Sequence, residues 1–283
     1  MRIITAIDEM QAAARELRRG GTLGLVTTMG ALHAGHLSLI AAAKRDCAHV
    51  AASIFVNPLQ FGPNEDFSRY PRTFDADCAA LTAAGVDLLF APSAETLTPA
   101  GATTFIEVAG ISDRLDGASR PGHFRGVATI VSKLFHIVAP DRAYFGQKDA
   151  AQVAVLRAMV RELNLPVDLV VCPIVREPDG LALSSRNRYL TPEQRSRATI
   201  LHRALNAAAD LHACGERNTR AVTAAMLEVF ATEPSVKVEF AAVVDPDTLL
   251  PVEDTTRGAL IAVAAHLGQT RLIDNLLIGA DHA

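Results

Sequence analysis

From Leu23 to Cys172, strand-length apolar runs alternate with helix-length stretches, and no other feature of the chain constrains its fold as tightly. Apolar runs at 23–27, 50–56, 86–90, 143–145 and 167–172 read as strands, with a shorter one from Thr104 to Val108. Between them, 36–46, 74–84, 124–138 and 149–163 read as helices. An earlier helical stripe, Ile7, Met10, Ala14 and Leu17, stops at Gly20-Gly21. Strands separated by helices build βαβ units rather than hairpins, and so predict a mostly parallel, doubly wound sheet.

After Pro173 the pattern changes. Thr191-Pro192-Glu193-Gln194 is a capping box with proline at the first helical position, and it opens a helix running to about His212. A second helix spans 219–231, and Val238 to Val244, Leu260 to Ala264 and Arg271 to Leu277 read as consecutive strands. The chain therefore divides into a Rossmann-like nucleotide-binding domain over 1–175 and a smaller α+β domain over 176–283.

Composition excludes several classes. No apolar run approaches the ~20 residues that span a bilayer, and Met1 to Thr5 does not open a signal peptide. Cys47, Cys78, Cys172 and Cys214 form no C-x-x-C pair, as for reduced thiols in a cytoplasm. A net charge of −4 supplies no electrostatic footprint for nucleic acid.

The chemistry concentrates in loops that follow the strands. Leu23-Gly24-Leu25-Val26 runs into Thr28-Met29-Gly30-Ala31-Leu32-His33-Ala34-Gly35-His36, a strand, a turn and a helix start. A helix N-terminus beyond the carboxyl end of a strand offers N–H groups and a positive dipole end to phosphate. His33 and His36 share one face if both are helical. As a metal pair they lack a third ligand at suitable spacing. Neither G-x-x-x-x-G-K-[ST] nor G-x-G-x-x-G occurs, so any phosphate cradle here is of another kind. Asn57-Pro58-Leu59-Gln60 follows the next strand and brings two carboxamides to the same sheet edge. Taken alone it reads as a turn, and Arg120 to Gly126 as solvated basic residues before a helix. Gly146-Gln147-Lys148-Asp149 ends a strand, with Lys148 at a helix start and Gln152 four residues on. Leu183-Ser184-Ser185-Arg186 sets two hydroxyls beside a guanidinium that can grip phosphate.

In order and spacing, Thr28 to His36, Val56 to Gly62, Arg120 to Val127, Phe145 to Asp149 with Gln152, and Ser184 to Leu190 resemble the pantothenate synthetase family. His-x-Gly-His alone is shared with the wider nucleotidyltransferase superfamily; Asn57, Gln60 and Gln152 narrow it. The resemblance implies ATP-dependent condensation of (R)-pantoate with β-alanine through pantoyl adenylate, with Mg²⁺, in a cytoplasmic homodimer. It implies ATP contacts at Met29, Gly30, Ala31, Leu32, His33, Ala34, Gly35 and His36, at Gly146, Gln147, Lys148 and Asp149, and at Val175, Leu183, Ser184, Ser185 and Arg186. His36, His33, Lys148 and Arg186 would be catalytic, with His36 as proton donor. Gln60, Gln152 and Asn57 would bind the small substrates, and Pro63 to Pro71 would form a covering flap. Three positions depart from the family pattern: Thr27 replaces a proline, Ala34 an acidic residue and Gln147 a glutamate. Other nucleotidyltransferases would not need the Asn57, Gln60 and Gln152 set. An aminoacyl-tRNA synthetase would need a basic surface, and a non-catalytic nucleotide module would not need His36, Lys148 and Arg186.

Overall fold

The βαβ crossovers form as the alternation predicts. The structure, a computed structural model, describes residues 1–63 and 65–279. In chain order the elements are β1 (Arg2–Ile4), α1 (Ile7–Gly20), β2 (Leu23–Thr28), α2 (Ala34–Asp46), β3 (His49–Ile54), α3 (Phe74–Ala83), β4 (Leu88–Phe90) and α4 (Ala94–Leu97). There follow α5 (Asp116–Ser119), α6 (His123–Val138), β5 (Arg142–Gly146), α7 (Ala150–Glu162), β6 (Asp168–Cys172), α8 (Pro192–Arg197), α9 (Ile200–Ala213), α10 (Thr219–Ala231), β7 (Val236–Val244), β8 (Ala259–Leu267) and β9 (Thr270–Ile278). Short 3₁₀ turns occupy Pro58–Gln60, Gln147–Asp149 and Ser185–Tyr189.

Two compact units emerge. The first comprises 1–113, 117–146 and 155–173; the second comprises 114–116, 147–154 and 174–283. In the first, six parallel strands lie in the order β1-β4-β3-β2-β5-β6. β2 and β3 are buried along most of their length, as expected of a parallel sheet covered on both faces. From β2 the chain steps outward to β3 and later returns to β5 on the other side of β2. The switch point, where ligands settle in open α/β sheets, is therefore the crevice beyond the carboxyl ends of β2 and β5. Val26, Ile40, Val50, Leu81, Leu89 and Tyr144 belong to a hydrophobic core cluster of this first unit. In the second unit, antiparallel β7-β8-β9 packs against α9 and α10 through Leu201, Leu205, Met226, Phe230, Ile261 and Val263.

Several expectations need correction. Leu23–Thr28 is the second strand in chain order, because Arg2–Ile4 pairs with β4 at the sheet edge. Three residues are too few to show a period. Thr104 to Val108 is not a strand: Ile106 N–H bonds the Thr129 hydroxyl on α6 (2.9 Å), and Phe105 is exposed beneath the Arg125 guanidinium. The helix predicted from 192 to 212 breaks at Ala198-Thr199 into α8 and α9. There the Ser196 and Thr199 hydroxyls bond the carbonyls of Glu193 and Ser196, competing with the helical ladder.

Candidate active site

β2 ends in a tightly tied loop. The Thr28 hydroxyl donates to Ser53 O (2.8 Å) and accepts from Gly30 N–H (3.1 Å), which fixes the loop to β3. Gly30 has φ +82°, and a Cβ there would lie 3.0 Å from Asp77 Oδ2, so only glycine fits without strain. Asp77, on α3 and only 3% exposed, accepts from Ala31 N–H (2.9 Å), Leu32 N–H (2.8 Å) and the Thr73 hydroxyl (3.1 Å). The backbone donors of Ala31 and Leu32 thus serve the fold. Sequence reasoning missed Asp77, whose partners are 46 and 45 residues away.

The histidines are not both in helical register, the condition for sharing one face. His33 is the extended N-cap of α2 (φ −140°, ψ 175°) and His36 its third residue. Gly35 N–H donates to His33 Nδ1 (3.2 Å), and His33 N–H donates to His36 Nδ1 (3.3 Å). The rings cap each other's backbone with centroids 4.1 Å apart. With Nδ1 accepting, each neutral ring carries its proton on Nε2. The first turn of α2 contains no acidic residue, so its own side chains leave the positive dipole end unneutralised.

β3 leads into Asn57 and the Pro58–Gln60 turn at the same sheet edge, because Thr28 and Ile54 are register partners. Asn57 is 2% exposed: its Oδ1 accepts from Leu59 N–H, and its Nδ2 donates to Gln60 Oε1 (3.0 Å) and Gly126 O (3.1 Å). It acts on Gln60 as a positioning residue. Gln60 Nε2 then faces Met29 Sδ at 3.2 Å. The Gln60 carbonyl is also held, accepting from His123 Nδ1 (2.8 Å) and Arg120 Nη2 (3.3 Å). Because arginine only donates, His123 Nε2 accepts from Arg120 Nη1 and the imidazole proton sits on Nδ1. The reading of Arg120 as a solvated cation is corrected, since its guanidinium forks onto both Glu65 oxygens (2.8 and 2.6 Å). Gly126 lets α6 approach this turn, for a Cβ would meet Leu59 O at 2.2 Å.

Pro63 to Pro71, the predicted flap, is a turn-rich strap in which Asn64 lies outside the described residues. Phe61 packs on Phe67 (5.3 Å) and Tyr70 (6.0 Å), and Arg72 donates to the carbonyls of Phe67 and Tyr70. A cavity of about 290 Å³ opens beside Met29, Gly30, Val56, Phe67, Arg72 and Asp77.

The second unit carries the remaining predicted residues except Gly146, which ends β5 in the first. Lys148 sits in the 3₁₀ turn ahead of α7 rather than in the helix, so no α-helical i, i+4 face relates it to Gln152. Its Nζ lies 3.6 Å from Asp149 Oδ1. Asn275 Nδ2 donates to the carbonyls of Gln147 (3.0 Å) and Lys148 (2.9 Å), and Gln147 Nε2 returns a bond to Asn275 Oδ1 (3.0 Å). Val175 and Leu183 face each other in a hairpin, Leu183 N–H donating to Val175 O (3.0 Å). Ser184 caps the next turn by accepting from Arg186 N–H (3.2 Å); Ser185 is buried and Arg186 half-buried. Arg176 grips Asp274 with both Nη atoms (2.6 and 2.9 Å). Beneath Gly180, His202 is held below its usual pKa by burial and by the Arg176 charge. Among the described residues, no three His, Cys, Asp or Glu side chains converge on a cation site, so no residue is assigned to Mg²⁺.

A doubly wound parallel sheet whose switch-point loop opens a histidine-capped helix defines a Rossmann-like α/β protein. The pattern of the pantoate-β-alanine ligase family matches residues 2–277, and the chain belongs to that family. It is 60% identical to a pantothenate synthetase of Acidobacterium capsulatum over 99% of this chain and 97% of that protein. The structure of pantothenate synthetase from Thermus thermophilus is similar, with a TM-score of 0.94 and 48% identity over 99% of this chain and 100% of that one. Pantoate-β-alanine ligase from Francisella tularensis, solved with β,γ-ATP and β-alanine, gives a TM-score of 0.81 and 35% identity over 98% and 97%.

Proposed function

We propose that this ligase uses ATP to condense (R)-pantoate with β-alanine through pantoyl adenylate, releasing pyrophosphate and then AMP. The capping geometry of His33 and His36 carries the reading: two Nε2–H donors at the N-terminus of an α-helix whose first turn holds no acidic residue suit phosphate oxygens. Membership of the family and the nucleotide and β-alanine bound to the Francisella tularensis enzyme support it.

Pantoate carboxylate and triphosphate repel each other, so attack at the α-phosphorus requires cationic and hydrogen-bonding groups aimed at the charge as it develops. Lys148 and Arg186 supply fixed positive charge, the Ser184 and Ser185 hydroxyls supply donors, and His36 stabilises or protonates the departing pyrophosphate. Gln60 and Gln152 hold pantoate, with Asn57 setting the Gln60 carboxamide. Mg²⁺ enters bound to the nucleotide, as the ion usually keeps phosphate and water ligands. A cytoplasmic homodimer belongs to the same proposal, and light scattering in solution tests the dimer. Among the described residues no helix is long and apolar enough to cross a membrane.

Enzyme given MgATP and pantoate without β-alanine should exchange labelled pyrophosphate into ATP. Adding β-alanine should then carry ¹⁸O from the pantoate carboxylate into AMP. Exchange that strictly requires β-alanine would contradict a separate adenylate step, and ADP as product would overturn the mechanism.

A further inference from the structure

We propose that Asn275 is a positioning residue for Lys148, and that β9 thereby sets the geometry of the phosphate-binding lysine. The inference rests on the assignment of Lys148 to the nucleotide phosphates. β9 has two adjacent polar residues in an otherwise mostly apolar run, Asp274 and Asn275, each 3% exposed. Side chains alternate along a strand, so the two point to opposite faces. Burying either is costly unless its hydrogen bonds are met.

Both are met, and the partners lead to the site. On one face Asp274 takes the Arg176 fork, and Arg176 Nη1 also donates to Gly180 O (3.0 Å) within the hairpin that precedes Ser184 to Arg186. Asp274 Oδ1 accepts from Asn275 N–H (2.8 Å), which fixes the strand where the faces diverge. On the other face the Asn275 carboxamide commits both its donor nitrogen and its acceptor oxygen to one turn, the Gln147 and Lys148 carbonyls and the Gln147 side chain. Holding the carbonyls at 147 and 148 fixes the peptide planes on either side of the Lys148 Cα. The direction in which its flexible stem leaves the backbone is then set before any nucleotide arrives. The Gln147 carboxamide pair keeps the turn from rotating away from β9. Arg176, Asp274 and Asn275 form one spine that joins the Lys148 turn to the hairpin leading to Arg186.

The test is a double-mutant cycle read by pantoate-dependent pyrophosphate exchange, with thermal unfolding of each variant alongside. Asn275→Ala should lower the exchange rate by about 10- to 10²-fold, as expected when a reacting group is displaced by about 1 Å. Asn275→Ser, which keeps one donor, should fall between Asn275→Ala and the parent. Combined with Lys148→Ala, Asn275→Ala should add little further loss, because its effect runs through the ammonium already removed. Exchange at the parent rate in Asn275→Ala would overturn the proposal, and so would a double variant whose loss is the product of the two single losses. If neither Asn275 variant folds, the residue is structural and the proposal falls. Lys148→Ala at the parent rate would instead overturn the assignment of Lys148 itself. An inactive Lys148→Ala beside a fully active Asn275→Ala would remove only the positioning role.

Discussion

Replacing Asp77 by asparagine should loosen the loop that leads into α2, because one carboxylate terminates three donors there. Ala31 N–H, Leu32 N–H and the Thr73 hydroxyl all end on it within 2.8 to 3.1 Å, in a place nearly closed to water. An asparagine of the same shape has one oxygen. With that oxygen toward Ala31, its amide faces Leu32 N–H; reversed, the amide meets Ala31 N–H, although Thr73 can then turn to accept. Either way one buried N–H is left without an acceptor, at about 1–3 kcal/mol, and the surviving bonds lose their charge assistance. Removing a buried charge recovers part of that, so we expect a net cost of about 2 kcal/mol for Asp77→Asn. Asp77→Ala, which orphans both amides and opens a void, should cost about 3–4 kcal/mol. At about 2–4 °C per kcal/mol, the first unfolding transition should fall by about 4–8 °C in Asp77→Asn. The same variant should raise the apparent KM for ATP in pyrophosphate exchange, since the histidine cap begins one residue beyond Leu32. A transition within 1 °C of the parent, with KM for ATP unchanged, would refute the clamp.

Three further outcomes are expected. Lys148→Ala should lower pyrophosphate exchange by at least ~10²-fold, the scale of losing one preorganised stabilising group, with little change in the melting transition; exchange near the parent rate would contradict its role. Gln60→Ala should raise KM for pantoate by an amount equivalent to about 1.5–3 kcal/mol while leaving ATP binding by calorimetry unchanged; the reverse pattern would show that the substrates are misassigned. Burial and Arg176 depress the His202 pKa below 6.5, so the unfolded chain binds this proton more tightly than the folded one. Stability should therefore be full above about pH 6.5 and decline as pH falls from there toward the depressed folded pKa. In urea titrations from pH 7.5 to 5, His202→Gln should flatten that decline, and an unchanged slope would reject the assignment.

What sequence alone determined about this chain is whatever short-range bonding and hydrophobic period decide. α10 was legible in its approximate extent, and the Thr191 capping box forms as read, because cap, proline and partner glutamine lie within four positions. The β2–loop–α2 unit was legible for the same reason, as was the alternation that makes the sheet parallel. Even there, local sequence did not show that His33 stays extended as a cap, since two histidines at i, i+3 suit a helical pair equally well. Tertiary structure alone decided which polar groups meet. Asp77 reaches Ala31 across 46 residues, Arg120 reaches Glu65 across 55, and Asn275 reaches Gln147 across 128. None of these pairs leaves a period or a spacing in the chain, because their meeting depends on where α3, α6 and β9 pack. A buried carboxylate or carboxamide is tolerated only when packing brings donors to it. Sequence therefore showed which residues can perform the chemistry, while the packed structure chose the residues that hold them in place.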